Sequence, residues 1–182
     1  MTHVTTEPII RPETDADHDA IDRVVAAAFK SPVEAELVHK IRASPEYVAE
    51  MALVAELDGA IVGHVMISGA TVRNGFGDSP IAMLSPLAVA PEHHGHGIGS
   101  VLVRAVTAIA DRRGQPYVIL EGSPVYYSRF GFEHSKLYGV DIPLPEWAPA
   151  EAAQLLRLSA FDPNDSTRRG QVIYPAAFDG VE

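Results

Sequence analysis

The chain has no cysteine. That excludes disulfides, thiolate metal sites and a thiol nucleophile together. Positive charge is also scarce: 14 Lys and Arg stand against 24 Asp and Glu, a formal net charge of -10. Nucleic acid and anionic lipid are recognised largely through basic patches, so neither is an expected partner. Cationic partners such as amines suit this balance. No long apolar run is present, and the stretch Ile81 to Pro91 is too short to span a bilayer. Residues Met1 to Arg11 lack the basic-then-apolar pattern of a secretory signal. These absences predict a cytoplasmic protein with no membrane and no nucleic-acid partner.

Apolar residues make up 47% of 182, enough for a packed interior. A single domain over residues 1–182 is expected, with a core at about 7–140 and a C-terminal helix-and-strand extension over 141–182. Ile9-Ile10 before Pro12 reads as a first strand. Asp15 or Asp17 then caps a helix through Ile21, Val24, Val25, Ala28 and Phe29, and Pro32 opens a second. Met51 to Leu57 and Ala60 to Ile67 are strand-like runs joined by Asp58-Gly59, a strong hairpin signal. Asn74 to Pro80 reads as a loop and Ile81 to Val89 as a strand. Ile98, Val101, Leu102, Ala105, Val106 and Ile109 share one helical face, ended by Gly114. Tyr117 to Leu120 is a short strand, and Val125 to Phe130 a short helix stopped by Gly131. In the tail, Ala150 to Leu158 is expected to be helical and Gln171 to Tyr174 a last strand. Strands joined both by hairpins and by helices predict a mixed α/β (α+β) sheet of about six to seven strands with helices on both faces.

The most informative segment runs from Leu87 to Ser100, Leu-Ala-Val-Ala-Pro-Glu-His-His-Gly-His-Gly-Ile-Gly-Ser. It joins a buried strand to an amphipathic helix through glycines. The first amides of a helix have no internal partner, and the helix dipole adds positive charge there. Glycines let an anion approach those amides, so an acidic chain acquires a diphosphate site from its backbone. A P-loop needs Lys and Ser/Thr after its last glycine, whereas Gly99 is followed by Ser100-Val101. A dinucleotide fingerprint spaces its glycines G-x-G-x-x-G, whereas Gly95, Gly97 and Gly99 run G-x-G-x-G. His93, His94 and His96 lie near Glu92, but side chains on one tight turn diverge, so no metal site is expected.

His94-Gly95-His96-Gly97-Ile98-Gly99 resembles the acyl-CoA signature of the GNAT N-acetyltransferase superfamily, Gln/Arg-x-x-Gly-x-Gly/Ala, with His94 in place of Gln or Arg. Leu87 to Pro91 looks like the family's lead-in strand, and Tyr126-Tyr127-Ser128-Arg129-Phe130-Gly131-Phe132 is similar to its aromatic-x-x-x-Gly-Phe segment. Gly170 to Phe178 is similar to the end of one bacterial branch. The resemblance implies direct transfer of acetyl from acetyl-CoA, as co-substrate, to an amine of a small molecule or peptide. An alternative is a binding module that holds acyl-CoA without turnover. It implies cofactor contacts from Leu87, Ala88, Val89, His94, Gly95, His96, Gly97, Ile98, Gly99 and Ser100. Tyr127 takes the family's acid position, with Tyr126 as its neighbour, and the Leu87 backbone N–H takes that of the oxyanion donor. For the base, the strand Ala82 to Pro86 carries no titratable group. Glu121, a water on Ser85, and more weakly His64 are the options. Arg129 and Arg104 are the nearest cations, with surface roles expected for both. Family members often form homodimers.

Overall fold

Helical and strand periods alternate along residues 7–181, the part of the chain that the computed structural model describes. β1 (Ile9–Pro12) precedes α1 (His18–Phe29) and α2 (Val33–Arg42). β2 (Ala52–Leu57), β3 (Ala60–Asn74) and β4 (Gly77–Val89) follow as hairpins, then α3 (Ile98–Arg112) and β5 (Tyr117–Glu121). α4 (Pro124–Tyr127) leads to β6 (Glu133–His134), β7 (Val140–Asp141), β8 (Ala153–Arg157) and β9 (Gly170–Ile173). Among the described residues the sheet has nine strands, in the order β1-β2-β3-β4-β5-β8-β6, with β9 paired to β3 and to β7. The count exceeds the expected six to seven because β6 and β7 are two-residue pieces without a readable period. Among the described residues no helix is long and apolar enough to cross a membrane.

Alternation along the strands sorts the core into two layers. Val65, Ile67, Ala82, Leu84, Val118 and Leu120 face α3, which supplies Leu102, Val103 and Val106. Met66, Ala70, Val72, Met83 and Ile119 face the other way, toward Leu37, Val38 and Ile41 of α2 and Phe178 of the tail. α1 closes the end of that second face, packing Ile21, Val24 and Val25 on Val54 and Ala88.

Two segments differ from expectation. Asn74 to Pro80 is no loop, because β3 and β4 continue until only Gly75 and Phe76 remain between them. Asn74 Oδ1 accepts from the Phe76 N–H at 2.7 Å, and Arg73 and Asp78 pair across the strands at 2.7 Å. Those local bonds, with β9 on the outer edge of β3, close a polar hairpin that its hydropathy does not announce. Ala150 to Leu158 is not a helix: a 3₁₀ turn over Ala150–Ala152 leads into β8. β8 fills the gap between β5 and β6, burying Leu155 on one face and packing Leu156 on the other. Pairing on both edges overrides the helical propensity of this short run.

One buried polar cluster ties the first helices to the sheet. Arg42 of α2 donates to Glu13 at 2.6 and 3.0 Å, and Tyr47 Oη donates to the same carboxylate at 3.0 Å. The Glu13 and His64 side chains are 1% and 0% exposed, and His64 Nε2 lies 3.5 Å from Glu13 Oε2. That separation is too long for a well-formed hydrogen bond, and neither ring nitrogen of His64 has a hydrogen-bond partner among the described residues. Burial alone would raise the Glu13 carboxyl, but His64 and Arg42 outweigh it and bring it to about 2. Burial lowers the His64 pKa, against the pull of Glu13. Both groups therefore lose stability with acid. His64 contributes above its ordinary 6.5 and loses that contribution as pH falls below it. Glu13 contributes above its ordinary 4.5 and loses that as pH falls toward about 2. The urea midpoint is expected to fall as pH drops from neutrality through both windows. At pH 7, Arg42→Met strands the Glu13 charge and is expected to lower the unfolding free energy by about 3–5 kcal/mol, measured by urea denaturation.

Candidate active site

β4 and β5 run parallel but pair at only two positions, Ala82↔Val118 and Met83↔Ile119. Beyond them the strands part. The β3–β4 register explains the departure: Val65 pairs with Leu87, yet Ile67 pairs with Leu84, so Ser85 and Pro86 together face Met66. That extra residue is a β-bulge, which bends a strand, and Pro86 brings no N–H to the ladder. Each parted strand keeps its other edge, β4 on β3 and β5 on β8.

The phase of the ladder decides which groups face the gap. The Ala90 N–H donates to the Val62 carbonyl at 2.8 Å. Bonded and non-bonded pairs alternate in an antiparallel ladder, so Ala88 turns its N–H and C=O toward β3 while Leu87 and Val89 turn theirs away. His94 agrees: its Nε2 lies 2.7 Å from the Val89 carbonyl on that outer edge. The Leu87 N–H thus faces the edge that β5 has left.

The glycine turn completes this edge. Gly95 and Gly97 have φ of 79° and 80°, and a Cβ on either would meet no atom within 4 Å. The positive φ, rather than crowding, calls for glycine here. Gly97 is the N-cap of α3, and no side chain caps the helix. The amides of Ile98, Gly99 and Ser100 therefore open a 15-residue helix toward a groove of about 620 Å³, lined among others by Leu87, Val89, His94, Gly99 and Arg129. Uncapped amides beside glycines fit an anionic group such as a diphosphate. His94 braces the strand end from the rim. His96 is exposed on the turn outside the groove lining, and the Ile98 side chain points into the core, leaving only its amide. Among the described residues no group of three His, Cys, Asp or Glu is placed to hold a metal ion.

The two tyrosines separate cleanly. Pro124 starts α4 and the Ser123 hydroxyl accepts from the Tyr126 N–H at 3.3 Å, which fixes the turn. The Tyr127 ring lies on Gly122, where a Cβ would stand 2.6 Å from its Cε2, and meets Phe132 edge-on at 5.6 Å. Burial raises the Tyr127 pKa, so its phenol keeps its proton at neutral pH. Tyr126 instead reaches α3, where a Cβ on Gly99 would stand 2.5 Å from its Oη. Arg129 stacks over Tyr126 at 4.5 Å and points Nη2 at the Ser100 hydroxyl, 3.5 Å away. Arg129 thus sits in the groove, not merely on the surface, whereas Arg104 lies over Phe130 at 5.0 Å. Sequence reasoning undervalued Tyr126 and Arg129 because their contacts with α3 cross more than twenty-five residues of chain.

On the opposite face lie the base options. Continuing the β4–β5 register from Met83↔Ile119 sets Ser85 level with Glu121 across the gap, both on the face of Met83 and Ile119. Burial of its surroundings raises the Glu121 carboxyl, partly offset by Tyr174, whose Oη donates to Oε1 at 2.6 Å. His64 lies in the Glu13 cluster and not at the gap. Tyr174 was absent from the sequence-based candidates, and no local signal links it to a residue 53 positions away.

Comparison with known proteins points to one family. A family model described as an acetyltransferase (GNAT) domain matches residues 9–135. The chain is 35% identical over 135 residues to the uncharacterized N-acetyltransferase YjhQ of Escherichia coli K12, covering 72% of this chain and 74% of that protein. The crystal structure of E. coli YhbS, a GNAT family N-acetyltransferase in complex with CoA, superposes with a TM-score of 0.87 at 30% identity, covering 100% of this chain and 97% of that one. A GNAT family acetyltransferase from Brucella melitensis, in complex with acetyl-CoA, gives 0.75 at 30% identity, covering 96% and 99%. The positive φ at the helix entrance has a stability consequence: Gly97→Ala is expected to lower the unfolding free energy by about 1–2 kcal/mol, read by thermal or urea denaturation, though no atom obstructs the new methyl.

Proposed function

The chain belongs to the GNAT acetyltransferase family, and from that premise we propose that it transfers acetyl from acetyl-CoA directly to an amine of a small molecule or peptide. The observation that carries this reading is the coincidence of two unfilled backbone features: the Leu87 N–H on the edge left by β5, and the uncapped amides of Ile98 to Ser100. The second suits the cofactor's diphosphate. The first suits the carbonyl oxygen that gains charge in the transition state. His94, Gly95 and Gly97 hold the turn, with Arg129 adding a cation at the groove.

Tyr127 and Glu121 then divide the proton work. They flank Gly122 on opposite faces of the sheet, Tyr127 toward α3 and Glu121 toward the α2 side. The acceptor nitrogen, freed of its proton by Glu121 directly or through water, attacks the thioester carbon. The C–N bond forms, the C–S bond breaks, the Tyr127 phenol gives its proton to the departing thiolate, and the second proton shed by the new amide nitrogen returns through solvent to the phenol. Burial keeps the Tyr127 phenol in its neutral form, the form that can donate a proton. A carboxylate on the acceptor side also suits an acceptor that arrives as an ammonium ion.

We read residues 1–182 as one acetyltransferase unit. Support comes from β8, a tail strand seated between β5 and β6 of the same sheet. Thiol release from acetyl-CoA across a panel of primary amines tests the function. Tyr127→Phe is expected to lower kcat about 10²–10⁴-fold while calorimetry shows CoA binding unchanged. Binding of CoA without turnover on any amine would instead identify a non-catalytic acyl-CoA module.

A further inference from the structure

The family match ends at residue 135, yet one side chain from beyond it touches the acceptor side of the gap. Tyr174 follows β9, which is fixed to the sheet by pairing Gly170–Ile173 with β3 and β7. Its ring packs on the core layer under α2 and against Phe178, with centroids 5.7 Å apart. Its Oη reaches Glu121 Oε1 at 2.6 Å, with the Pro143 carbonyl 3.3 Å away. Both contacts are acceptors and the phenol has one proton, which goes to Glu121, the shorter contact.

We propose that Tyr174 is a positioning residue that ties the tail to the acceptor side: its hydroxyl holds Glu121 in one rotamer, with Oε1 occupied and Oε2 left for the acceptor amine. The inference rests on the reading of Glu121 as the base. A carboxylate with one oxygen engaged presents a single oxygen, as directed proton transfer requires. Among the described residues the neighbours of Glu121 add no rival charge. Ala153 pairs with it from β8, Gln154 donates its amide to the Gly122 carbonyl at 2.9 Å, and Tyr127 lies beyond Gly122 on the far face. Tyr174 is the titratable group that contacts the carboxylate. Acceptor-side function then depends on tail residues 143–174 as well as on the region matched by the family.

The test compares Tyr174→Phe, Glu121→Gln and the parent chain, using acetyl-CoA with any primary amine that turns over in the panel. Phenylalanine keeps the ring packing, so the urea midpoint serves as a control for folding. Loss of a hydrogen bond to a carboxylate is expected to move the acidic limb of the kcat/KM profile up by about one pH unit. Below the limb, kcat/KM falls about tenfold while KM for acetyl-CoA is unchanged. Carboxyl-labelled glutamate, with the signal assigned through Glu121→Gln, is expected to show the same upward move of the Glu121 titration by NMR. If Glu121→Gln removes the limb but Tyr174→Phe leaves it in place, the positioning role is overturned and the base survives. If Glu121→Gln leaves the limb untouched, or if no amine turns over, the underlying reading fails and this inference with it.

Discussion

Everything at the site depends on two adjacent parallel strands being allowed to separate. A strand edge stripped of its partner leaves amides and carbonyls unsatisfied, which is unfavourable unless something else pairs with them. Here β4 and β5 each retain a ladder on the outer side, on β3 and β8 respectively, interrupted in β4 only at the bulge, so neither needs the other to remain a strand. The bulge at Ser85-Pro86 supplies the bend. The inner edges become a slot whose backbone groups are free for a ligand.

This arrangement answers a difficulty posed by the composition. A chain of net charge -10 has little general attraction for a polyanion. The main chain supplies what the side chains do not: oriented amides at the opening of a long helix, beside a second amide on the strand edge. Arg129, a cation in the groove, is held by stacking on Tyr126 and by the Tyr126 carbonyl at 3.1 Å. The opposite face is built differently, from a carboxylate and a phenol whose geometry is set by elements far apart in the chain. In the proposed reaction the slot joins a face of free amides to a carboxylate-bearing one, and the acetyl group crosses between them.

Much of the first face was legible in the residues. Asp58-Gly59 predicts its hairpin because both residues accept positive φ, and they adopt 51° and 80°. The glycines at 95 and 97 mark the helix entrance for the same reason. The helical spacing of Ile98, Leu102 and Val106 and the tyrosine four residues before Gly131 are local patterns, read within a turn or two of chain, whereas Val101, expected on the same face, is exposed and Val103 and Ala110 are buried instead. Where the reading failed, the deciding partner was distant. Ala150 to Leu158 has a composition compatible with a helix and becomes a strand because β5 and β6 leave a slot of strand width. The polar stretch Asn74 to Pro80 becomes hairpin because Asn74, Arg73 and Asp78 bond across it.

The sequence by itself determined the mixed sheet and the glycine turn at the helix entrance, since both are encoded in short-range spacing and backbone preference; the family, and with it Tyr127 as the acid candidate, came from the resemblance of two local motifs. Only the tertiary structure decided that the Leu87 amide faces an open edge, that Tyr126 and Arg129 belong to the groove, and that Tyr174 grips Glu121. Those facts depend on register, on a one-residue bulge and on pairing across scores of residues, and a linear pattern carries no such distances.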